Sequence, residues 1–274
     1  MDKKISLIIP CFNEAENIQP LYREIIRYCA DLDMEIIFIN DASTDETADK
    51  IHDLNQKDNR VRILSFEKNQ GHQIALRAGI EYAAGDYIIM LDADLQHPPR
   101  YIPEMVKKAG QGFDIVNMVH SQAQSGFLKS FLSRNFYRFF SAVTEVQLTP
   151  GVSDFRLITA RVQKIIKMLP ERNLFLRAIL PYLGFKCVLL DYMLQKRHSG
   201  RPAYTLGKSF AMGKEAIFNF STFPIKFFFH LGIIVAFMAF IYGLVNVVLK
   251  FITDWSVPGY TDIIASVLFL CGLN

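Results

Sequence analysis

Two aspartates, Asp92 and Asp94, are separated by one residue at the end of the apolar run 87–91. The run is short and is flanked by turn residues, which predicts a buried β-strand. If the chain stays extended as far as Gln96, the side chains of Asp92, Asp94 and Gln96 lie on one face. Their oxygen atoms would suit a hard divalent cation such as Mg²⁺ or Mn²⁺. The alternative is a turn or helix cap that happens to contain two aspartates.

Alternating strand and helix signals over residues 1 to about 120 predict the elements that position these aspartates. The predicted strands are 5–9, 34–39, 61–66, 87–91 and 114–119. Helices are predicted to begin after Asn13, which forms a capping box with Glu16, near Ser43, and at Gly71, the last of them closed by Gly85. This alternation predicts an α/β fold with a mostly parallel sheet and helices on both faces.

Polar segments follow three of these strands, at 10–14, 40–45 and 92–96. Because parallel strands present their carboxyl ends at the ligand-binding edge of an open sheet, the three segments should line one crevice. A nucleoside diphosphate would suit it, with a carboxylate such as Asp41 at the base and a cation on the diphosphate. Neither a Gly-x-Gly-x-x-Gly nor a P-loop motif is present, which excludes the usual dinucleotide fold and P-loop enzymes.

The C-terminal part contains a run of 19 residues without a charge, 231–249, between Lys226 and Lys250. At about 1.5 Å per residue the run nearly covers a hydrocarbon core of about 30 Å, so we expect a transmembrane helix. The alternative is a buried core helix. A second apolar run, 263–273, is followed only by Asn274, and we expect the chain to stop inside a second membrane helix.

Two amphipathic stretches, 127–143 and 206–223, combine aromatic with basic residues. Either could lie at a bilayer interface, and the first could equally pack its phenylalanines on the sheet. The expected domains are a catalytic domain (1–204), a juxtamembrane helix (205–225), a first membrane helix (226–250) and the start of a second (262–274).

The net charge of +3 implies no polyanion-binding surface, so we expect no nucleic-acid partner. The four cysteines are far apart, which indicates reduced core or membrane residues of an intracellular protein. Basic residues crowd the N-terminal side of the membrane run, while only Lys250 lies between the two apolar runs. This asymmetry predicts a cytoplasmic catalytic domain, and exposed membrane-helix faces would favour a homo-oligomer.

Five motifs occur in a fixed order along the chain: 8–14 (IIPCFNE), 40–45 (NDASTD), 71–73 (GHQ), 92–99 (DADLQHPP) and 153–157 (SDFRL). Together they resemble family 2 glycosyltransferases, in particular the polyprenyl-phosphate branch with dolichol-phosphate mannose synthase and GtrB-type bactoprenol glucosyltransferases. The resemblance implies a GT-A (Rossmann-like) fold, a UDP- or GDP-sugar donor, an undecaprenyl or dolichyl phosphate acceptor, inversion at the anomeric carbon, and a bacterial inner-membrane location.

The resemblance also implies roles for individual residues. Those implied to bind the nucleotide sugar are Pro10, Phe12, Glu14, Asp41, Gly71, His72, Asp92 and Ala93. Those implied to hold the metal on the diphosphate are Asp92, Asp94 and Gln96, and those implied in catalysis are Asp154, Asp94 and Arg156. His72 and His97 are alternative metal ligands, but beside hard oxygen donors we favour hydrogen-bonding or core roles.

A phosphate acceptor is already ionised near pH 7, since its second pKa is about 6, and needs little help from a general base. Asp154 could instead orient the sugar or an arginine. Cations should offset the repulsion between acceptor phosphate and donor diphosphate. The candidates are Lys129, Arg134, Arg156, Arg197 and Arg201.

Two alternatives remain open from the sequence. The acceptor could be another glycan or lipid, as in a processive synthase, although the sole tryptophan, Trp255, lacks the Gln-x-x-Arg-Trp motif of processive relatives. The chain could also be a non-catalytic membrane scaffold, although Asp92, Asp94 and Asp154 are all present.

Overall fold

The computed structural model of the protein describes residues 3–120, 151–170, 176–193 and 223–253, together with residue 267. The chain divides into two compact units. One comprises Met1–Phe139 with Val146–Ser209, and the other Phe140–Glu145 with Phe210–Asn274. The first unit holds a mixed α/β structure and the second a long apolar helix.

Strands and helices alternate through the first unit. The strands are β1 (Ile5–Cys11), β2 (Met34–Asn40), β3 (Val61–Ser65), β4 (Tyr87–Met90), β5 (Ile115–His120), β6 (Val152–Thr159) and β7 (Cys187–Tyr192). The helices are α1 (Ala15–Cys29), α2 (Thr47–Lys57), α3 (His72–Tyr82), α4 (Ile102–Gly110), α5 (Ala160–Met168) and α6 (Leu176–Tyr182), and a short 3₁₀ turn, Pro99–Tyr101, precedes α4. The second unit contributes α7 (Phe223–Thr253).

The strands form one seven-stranded sheet in the order β3-β2-β1-β4-β6-β5-β7. Neighbouring strands are parallel except at β6, which runs antiparallel to both β4 and β5. The expected α/β fold with a mostly parallel sheet is therefore confirmed. Strands β6 and β7 were not predicted. Because β6 is antiparallel to β4, Arg156 pairs with Met90 at the carboxyl end of β4, and the residues before Arg156 extend beyond that end.

Two apolar layers cover the sheet, as the prediction of helices on both faces requires. On the first face, α1, α2 and α4 pack their buried residues against strand side chains such as Leu7, Phe38 and Leu157. On the second face, α3, α5 and α6 pack against a separate set that includes Ile8, Ile88 and Ile158. Successive strand residues thus face opposite layers, which fixes the face on which each polar side chain of β6 lies.

The predicted capping box at the start of α1 is wrong. Glu14 is the N-cap residue, and its side chain makes no capping hydrogen bond. Asn13 instead adopts a left-handed backbone conformation (φ 56°), and its Oδ1 accepts a hydrogen bond of 2.8 Å from the Thr44 N–H. Asparagine tolerates this conformation better than most residues, and here its side chain joins two loops rather than capping a helix.

Gly85 does not cap α3, contrary to the prediction, because the helix ends at Tyr82 and Ala83 is already extended. A Cβ atom at Gly85 would lie 2.8 Å from both the Lys4 carbonyl oxygen and the Ser6 nitrogen. The glycine is required by this close approach of the β1 backbone.

Replacing Gly85 with alanine should therefore destabilise the first unit, because backbone atoms must move to admit the methyl group. We expect a cost of about 1–3 kcal/mol and a fall in apparent Tm of roughly 2–12 °C, measured by thermal unfolding of the detergent-solubilised full chain. Gly110→Ala is the matched control, since no atom lies within 4 Å of its Cβ position. An unchanged Tm for Gly85→Ala would contradict the steric account.

Helix α7 contains a segment, Ile225–Asn246, that is long and apolar enough to cross a membrane, with a mean hydropathy of 2.3 over its most apolar window. Only 11% of that window is buried, so α7 is not the buried core helix that was the alternative. The remaining predictions, the amphipathic stretches at 127–143 and 206–223 and the second membrane helix at 262–274, lie outside the described residues except for Phe223 and Val267. The candidate acceptor cations Lys129, Arg134, Arg197 and Arg201 also lie outside them.

Three of the four cysteines fall within the described ranges, and all three are free thiols. Cys11 and Cys29 are buried, as predicted for core residues. Cys187 is exposed on β7, an edge strand of the sheet, so the prediction of a core or membrane position is wrong for it.

Candidate active site

The loops that follow β1 and β2 are joined into one rim at the carboxyl edge of the sheet. In addition to the Thr44 to Asn13 bond, three hydrogen bonds run from the first loop to the second: Asn13 N–H to Ser43 Oγ (3.0 Å), Glu14 N–H to Thr47 Oγ1 (2.9 Å) and Ala15 N–H to Asp45 Oδ2 (3.2 Å). Each uses a backbone donor at the start of α1, where the helix leaves N–H groups without intrahelical partners. These hydrogen bonds therefore fix the two predicted nucleotide-binding segments to each other as one continuous surface.

Pro10 and Phe12, both predicted to bind the nucleotide, occupy different environments on this rim. Pro10 is buried within β1, and it is tolerated in a central strand because the β1–β4 pairing stops at Ile8 and Met90. Phe12 lies one residue beyond the strand and is 46% exposed. The structure thus leaves an aromatic ring accessible at the sheet edge where a ligand was predicted.

The carboxylate of Asp41 is buried and bonded to backbone on both oxygens. Oδ1 accepts from the Gln70 N–H (2.7 Å) and Oδ2 accepts from the Gly71 N–H (2.9 Å). Gly71 has φ 90°, which favours glycine, and it is the N-cap of α3. Asp41, predicted to contact the base, therefore also holds the turn that places His72 on the first turn of α3.

The segment after β4 is a turn and not an extended strand, so the geometric argument for a shared face is wrong. Leu95 has φ 64°, and the Gln96 N–H donates to Asp94 Oδ1 at 3.0 Å. An aspartate that bonds the backbone two residues ahead reverses the chain locally. Asp92, Asp94 and Gln96 consequently share a tight turn at the end of β4, with Ala93 buried between the two aspartates.

His97 fastens this turn to β6. Its Nδ1 accepts a 3.1 Å hydrogen bond from the Asp92 N–H, and its ring stacks on Phe155 with centroids 5.3 Å apart. Tyr192 meets the same ring edge-on at 5.9 Å. His97 is buried, so the predicted hydrogen-bonding and core role is confirmed for this residue.

His72 lies between two carboxylates that are far apart in sequence. Its Nε2 is 3.6 Å from Asp92 Oδ1 and 3.7 Å from Asp154 Oδ2. Burial alone would lower the pKa of His72, but the adjacent Asp154 and Asp92 carboxylates outweigh burial and raise that pKa above its ordinary value. An imidazolium at this position would link the turn after β4 to the predicted catalytic strand.

Asp154 is held by hydrogen bonds from Arg177, a residue for which the sequence predicted no role. Arg177 on α6 donates from Nε to Asp154 Oδ1 (3.0 Å) and from Nη2 to Oδ2 (2.9 Å). Burial alone would raise the pKa of Asp154, but the positive charge of Arg177, with His72 and Arg156, holds that pKa well below its ordinary range. The carboxylate is thus held in its ionised form.

Arg156 lies behind Asp154 and only 1% of it is exposed. Its Nη2 donates to the Ser153 carbonyl (2.8 Å) and to Asp154 Oδ1 (3.2 Å). Burial lowers the pKa of Arg156 to about 10, partly offset by Asp154. The expectation that Arg156 meets the acceptor phosphate conflicts with this burial, and the structure gives it the task of holding Asp154.

We name His72, Asp92, Asp154, Arg156 and Arg177 the ion-pair cluster. Four of its members lie in motifs that the sequence analysis singled out, at 71–73, 92–99 and 153–157. One feature of the sequence could have indicated Arg177: it is a single charged residue beside the apolar residues Leu176, Ile179 and Leu180. Its pairing with Asp154 could not be read from that signal.

A family model described as Glycosyl transferase family 2 matches residues 6–165, more than half of the chain. The chain belongs to glycosyl transferase family 2. The matched range contains every predicted nucleotide, metal and catalytic residue, whereas Arg177 lies outside it.

Relatives of this family 2 glycosyltransferase align along nearly its whole length. A prophage bactoprenol glucosyl transferase homolog of Escherichia coli K12 is 38% identical, covering 99% of this chain and 90% of the relative. The bactoprenol glucosyl transferase of Shigella phage SfV is 36% identical, with 99% and 89% covered. An uncharacterized glycosyltransferase of Synechocystis is 34% identical, with 100% and 87% covered.

Solved structures support the GT-A-like fold of the family 2 enzyme. Glucosyl-3-phosphoglycerate synthase of Mycobacterium tuberculosis, in complex with Mn²⁺, UDP-glucose and phosphoglyceric acid, has a TM-score of 0.57 at 19% identity, with 78% of this chain and 77% of that chain covered. A mannosyltransferase of Pyrobaculum calidifontis, in complex with GDP-mannose and Mn²⁺, has a TM-score of 0.52 at 18% identity, with 72% and 59% covered. At these identities the likeness concerns the fold alone.

The carboxylates that follow β4 in the glycosyltransferase fit a Mg²⁺ or Mn²⁺ ion whose remaining ligands come from a substrate. Over residues 3–120, 151–170, 176–193 and 223–253, no three His, Cys, Asp or Glu side chains are grouped as a metal site. Mg²⁺ usually takes one or two carboxylates and completes its shell with phosphate and water. Asp92, with a side chain 36% exposed, and the buried Asp94 offer that number of hard ligands.

Proposed function

We propose that the protein transfers a sugar from a UDP- or GDP-sugar to a polyprenyl phosphate and inverts the anomeric configuration. The observation that carries the proposal is the ion-pair cluster, in which His72 lies within 3.7 Å of both Asp92 and Asp154. This contact supports the proposal because Asp92, predicted to hold the metal, and Asp154, predicted to be catalytic, both lie beside one imidazole. The near full-length similarity to bactoprenol glucosyl transferases supports a polyprenyl acceptor.

The donor would lie along the joined loops after β1 and β2. The exposed ring of Phe12 offers a face on which a base can stack, and Glu14 lies next to it. Asp92, Asp94 and Gln96 would hold the Mg²⁺ or Mn²⁺ ion, which would neutralise the diphosphate as it leaves. Gly71 and His72, placed by Asp41, would face the donor from α3.

The transfer needs no proton to be removed from the acceptor. A phosphate oxygen of the lipid attacks the anomeric carbon, the bond from that carbon to the donor diphosphate breaks, and the diphosphate leaves with the electron pair. The acceptor phosphate loses one negative charge and the departing diphosphate gains one, so charge balances. The demand on the protein is therefore to bring two anionic groups together, and not to supply a base.

Helix α7 supports a location at a membrane. The segment Ile225–Asn246 has the length and hydropathy of a membrane span, and a polyprenyl phosphate is confined to a bilayer. We propose that the protein is a bacterial inner-membrane enzyme with its α/β unit on the cytoplasmic side, where nucleotide sugars are made. The product would be a lipid-phosphate-linked sugar for modification of envelope glycans.

The direct test is a donor screen. Membranes containing the full chain should transfer label from one of a panel of UDP- and GDP-sugars to added undecaprenyl phosphate, giving a product that partitions into organic solvent. The reaction should need Mg²⁺ or Mn²⁺ and stop with EDTA. Asp53→Asn, an exposed change on α2, is the matched control and should be fully active. A lack of labelled lipid from every donor would overturn the proposal.

A further inference from the structure

The environment of Asp154 conflicts with a role as general base. Both of its oxygens accept hydrogen bonds from Arg177, and Oδ1 accepts a further one from Arg156. A base needs a lone pair directed at the acceptor, and its carboxylate must be able to take a proton. The two arginines oppose protonation, in agreement with the depressed pKa of the carboxyl group.

The two arginines differ in what they can reach. Arg156 is enclosed, with 1% of its surface exposed, and its Nε has no hydrogen-bond partner within the described part of the chain. The side chain of Arg177 is 32% exposed. A phosphate that arrives beside His72 and Asp154 can therefore meet the guanidinium of Arg177 but not that of Arg156.

The two hydrogen bonds between Arg177 and Asp154 set the orientation of the arginine side chain. The side-by-side contact through Nε and Nη2 fixes the plane of the guanidinium. An arginine whose orientation is set in advance loses less side-chain freedom when it binds a phosphate. Asp154 also offsets the charge of Arg177 while the site is empty of substrate.

We propose that Arg177 binds the acceptor phosphate monoester and that Asp154 is a positioning residue that acts through it. This inference rests on the proposed function and gives it an acceptor-binding residue. The other phosphate in the reaction is the donor diphosphate, which has the same chemistry. The two sources are separated by measuring the KM of each substrate.

The test is steady-state kinetics on the full chain in detergent with undecaprenyl phosphate and the donor found in the screen. We expect Arg177→Gln to raise the acceptor KM about 10–100-fold, since a charge-assisted phosphate contact is lost, and to leave the donor KM within twofold. The acceptor KM of Arg177→Lys should lie between those of Arg177→Gln and the wild type, because lysine keeps the positive charge but lacks the planar, two-pronged guanidinium. Added guanidinium should restore part of the activity of Arg177→Ala.

Asp154→Asn separates the positioning role from that of a base. A positioning residue predicts a raised acceptor KM, and the double variant Asp154→Asn/Arg177→Gln should be no worse than Arg177→Gln alone. A base predicts a fall in kcat with the acceptor KM unchanged, which would overturn the assignment. Arg161→Gln, which removes an exposed arginine on α5, is the matched control.

The remaining outcomes are also decisive. Inactivity of the wild type with every donor refutes the proposed function. An active wild type whose acceptor KM is unmoved by Arg177→Gln, or whose donor KM alone rises, refutes only the role of Arg177. If Arg177→Gln fails to fold, as judged by its apparent Tm, the inference is decided by the acceptor KM of Arg177→Lys, which keeps a cation opposite Asp154.

Discussion

Replacing Asp94 with asparagine should lower turnover by about 10²–10³-fold without unfolding the protein. The side chain of Asp94 is buried, and its Oδ1 accepts from the Gln96 N–H. The amide oxygen of asparagine can accept the same hydrogen bond, so the turn after β4 should persist. What is lost is the negative charge, and with it the affinity for a hard cation beside the donor diphosphate.

The measurement that checks this is a Mg²⁺ or Mn²⁺ titration of the transferase activity. The variant should need a higher metal concentration for half-maximal rate, while its apparent Tm stays within a few degrees of the wild type. Asp53→Asn serves again as the control for loss of one negative charge. Wild-type kinetics in Asp94→Asn would remove Asp94 from the metal site, and a large drop in Tm would show that its role is structural.

Replacing Glu35 with alanine should give the largest loss of stability, about 3–5 kcal/mol, or roughly 6–20 °C in apparent Tm. Glu35 is buried on β2, at the end of the sheet away from the candidate active site. Its Oε1 accepts from Ser6 Oγ (2.6 Å) and the Ala84 N–H (3.0 Å), and its Oε2 accepts from Lys4 Nζ (3.3 Å). Truncation would leave the buried Ser6 hydroxyl and the Ala84 N–H without this partner.

The stabilisation by Glu35 should also depend on pH in a defined direction. Burial alone would raise its pKa, but the hydrogen bonds from Ser6, Ala84 and Lys4 outweigh burial and lower the pKa below its ordinary value of 4.5. A lowered folded-state pKa contributes stability that is present above the unfolded-state value and lost as pH falls through the folded-state value. The Tm difference between wild type and Glu35→Ala should therefore shrink below about pH 4.5.

Glu67→Ala is the matched control for this prediction because Glu67 is exposed on the loop after β3. It should unfold within about 0.5 kcal/mol of the wild type. Equal melting temperatures for Glu35→Ala and Glu67→Ala would contradict the account of Glu35 as a buried anchor. Thermal unfolding followed by circular dichroism on the detergent-solubilised chain suffices for both.

The first half of the fold could be predicted because its strands are short apolar runs between turn residues. Residues 34–39 and 87–91, for example, have few polar side chains, since both faces of these strands are covered by helices. Strand β6 carries Ser153, Asp154 and Arg156 and so lacks this signal. Its polar side chains are buried with partners that include one another, the Met118 carbonyl and Arg177, and these pairings arise in three dimensions.

The same distinction separates the predicted from the missed parts of the candidate site. Asp92 and Asp94 could be found from their spacing after a strand, although the prediction of an extended backbone there was wrong, because Asp94 bonds the Gln96 N–H. The hydrogen bond that the Gly71 N–H donates to Asp41 joins residues 30 positions apart, and the one that Arg177 donates to Asp154 joins residues 23 positions apart. No local pattern encodes such pairs, and only the packing of α3 and α6 on the sheet brings them together.

Strand β6 also determines where the protein can tolerate changes in length. Arg156 is paired with Met90 on one side and with Asn117 on the other, so the register is set twice. Deleting Phe155 while Arg156 stays in register would move Asp154 to the opposite face of the sheet and put Ser153 in its place opposite Arg177. Natural variants should therefore be constant in length within β6.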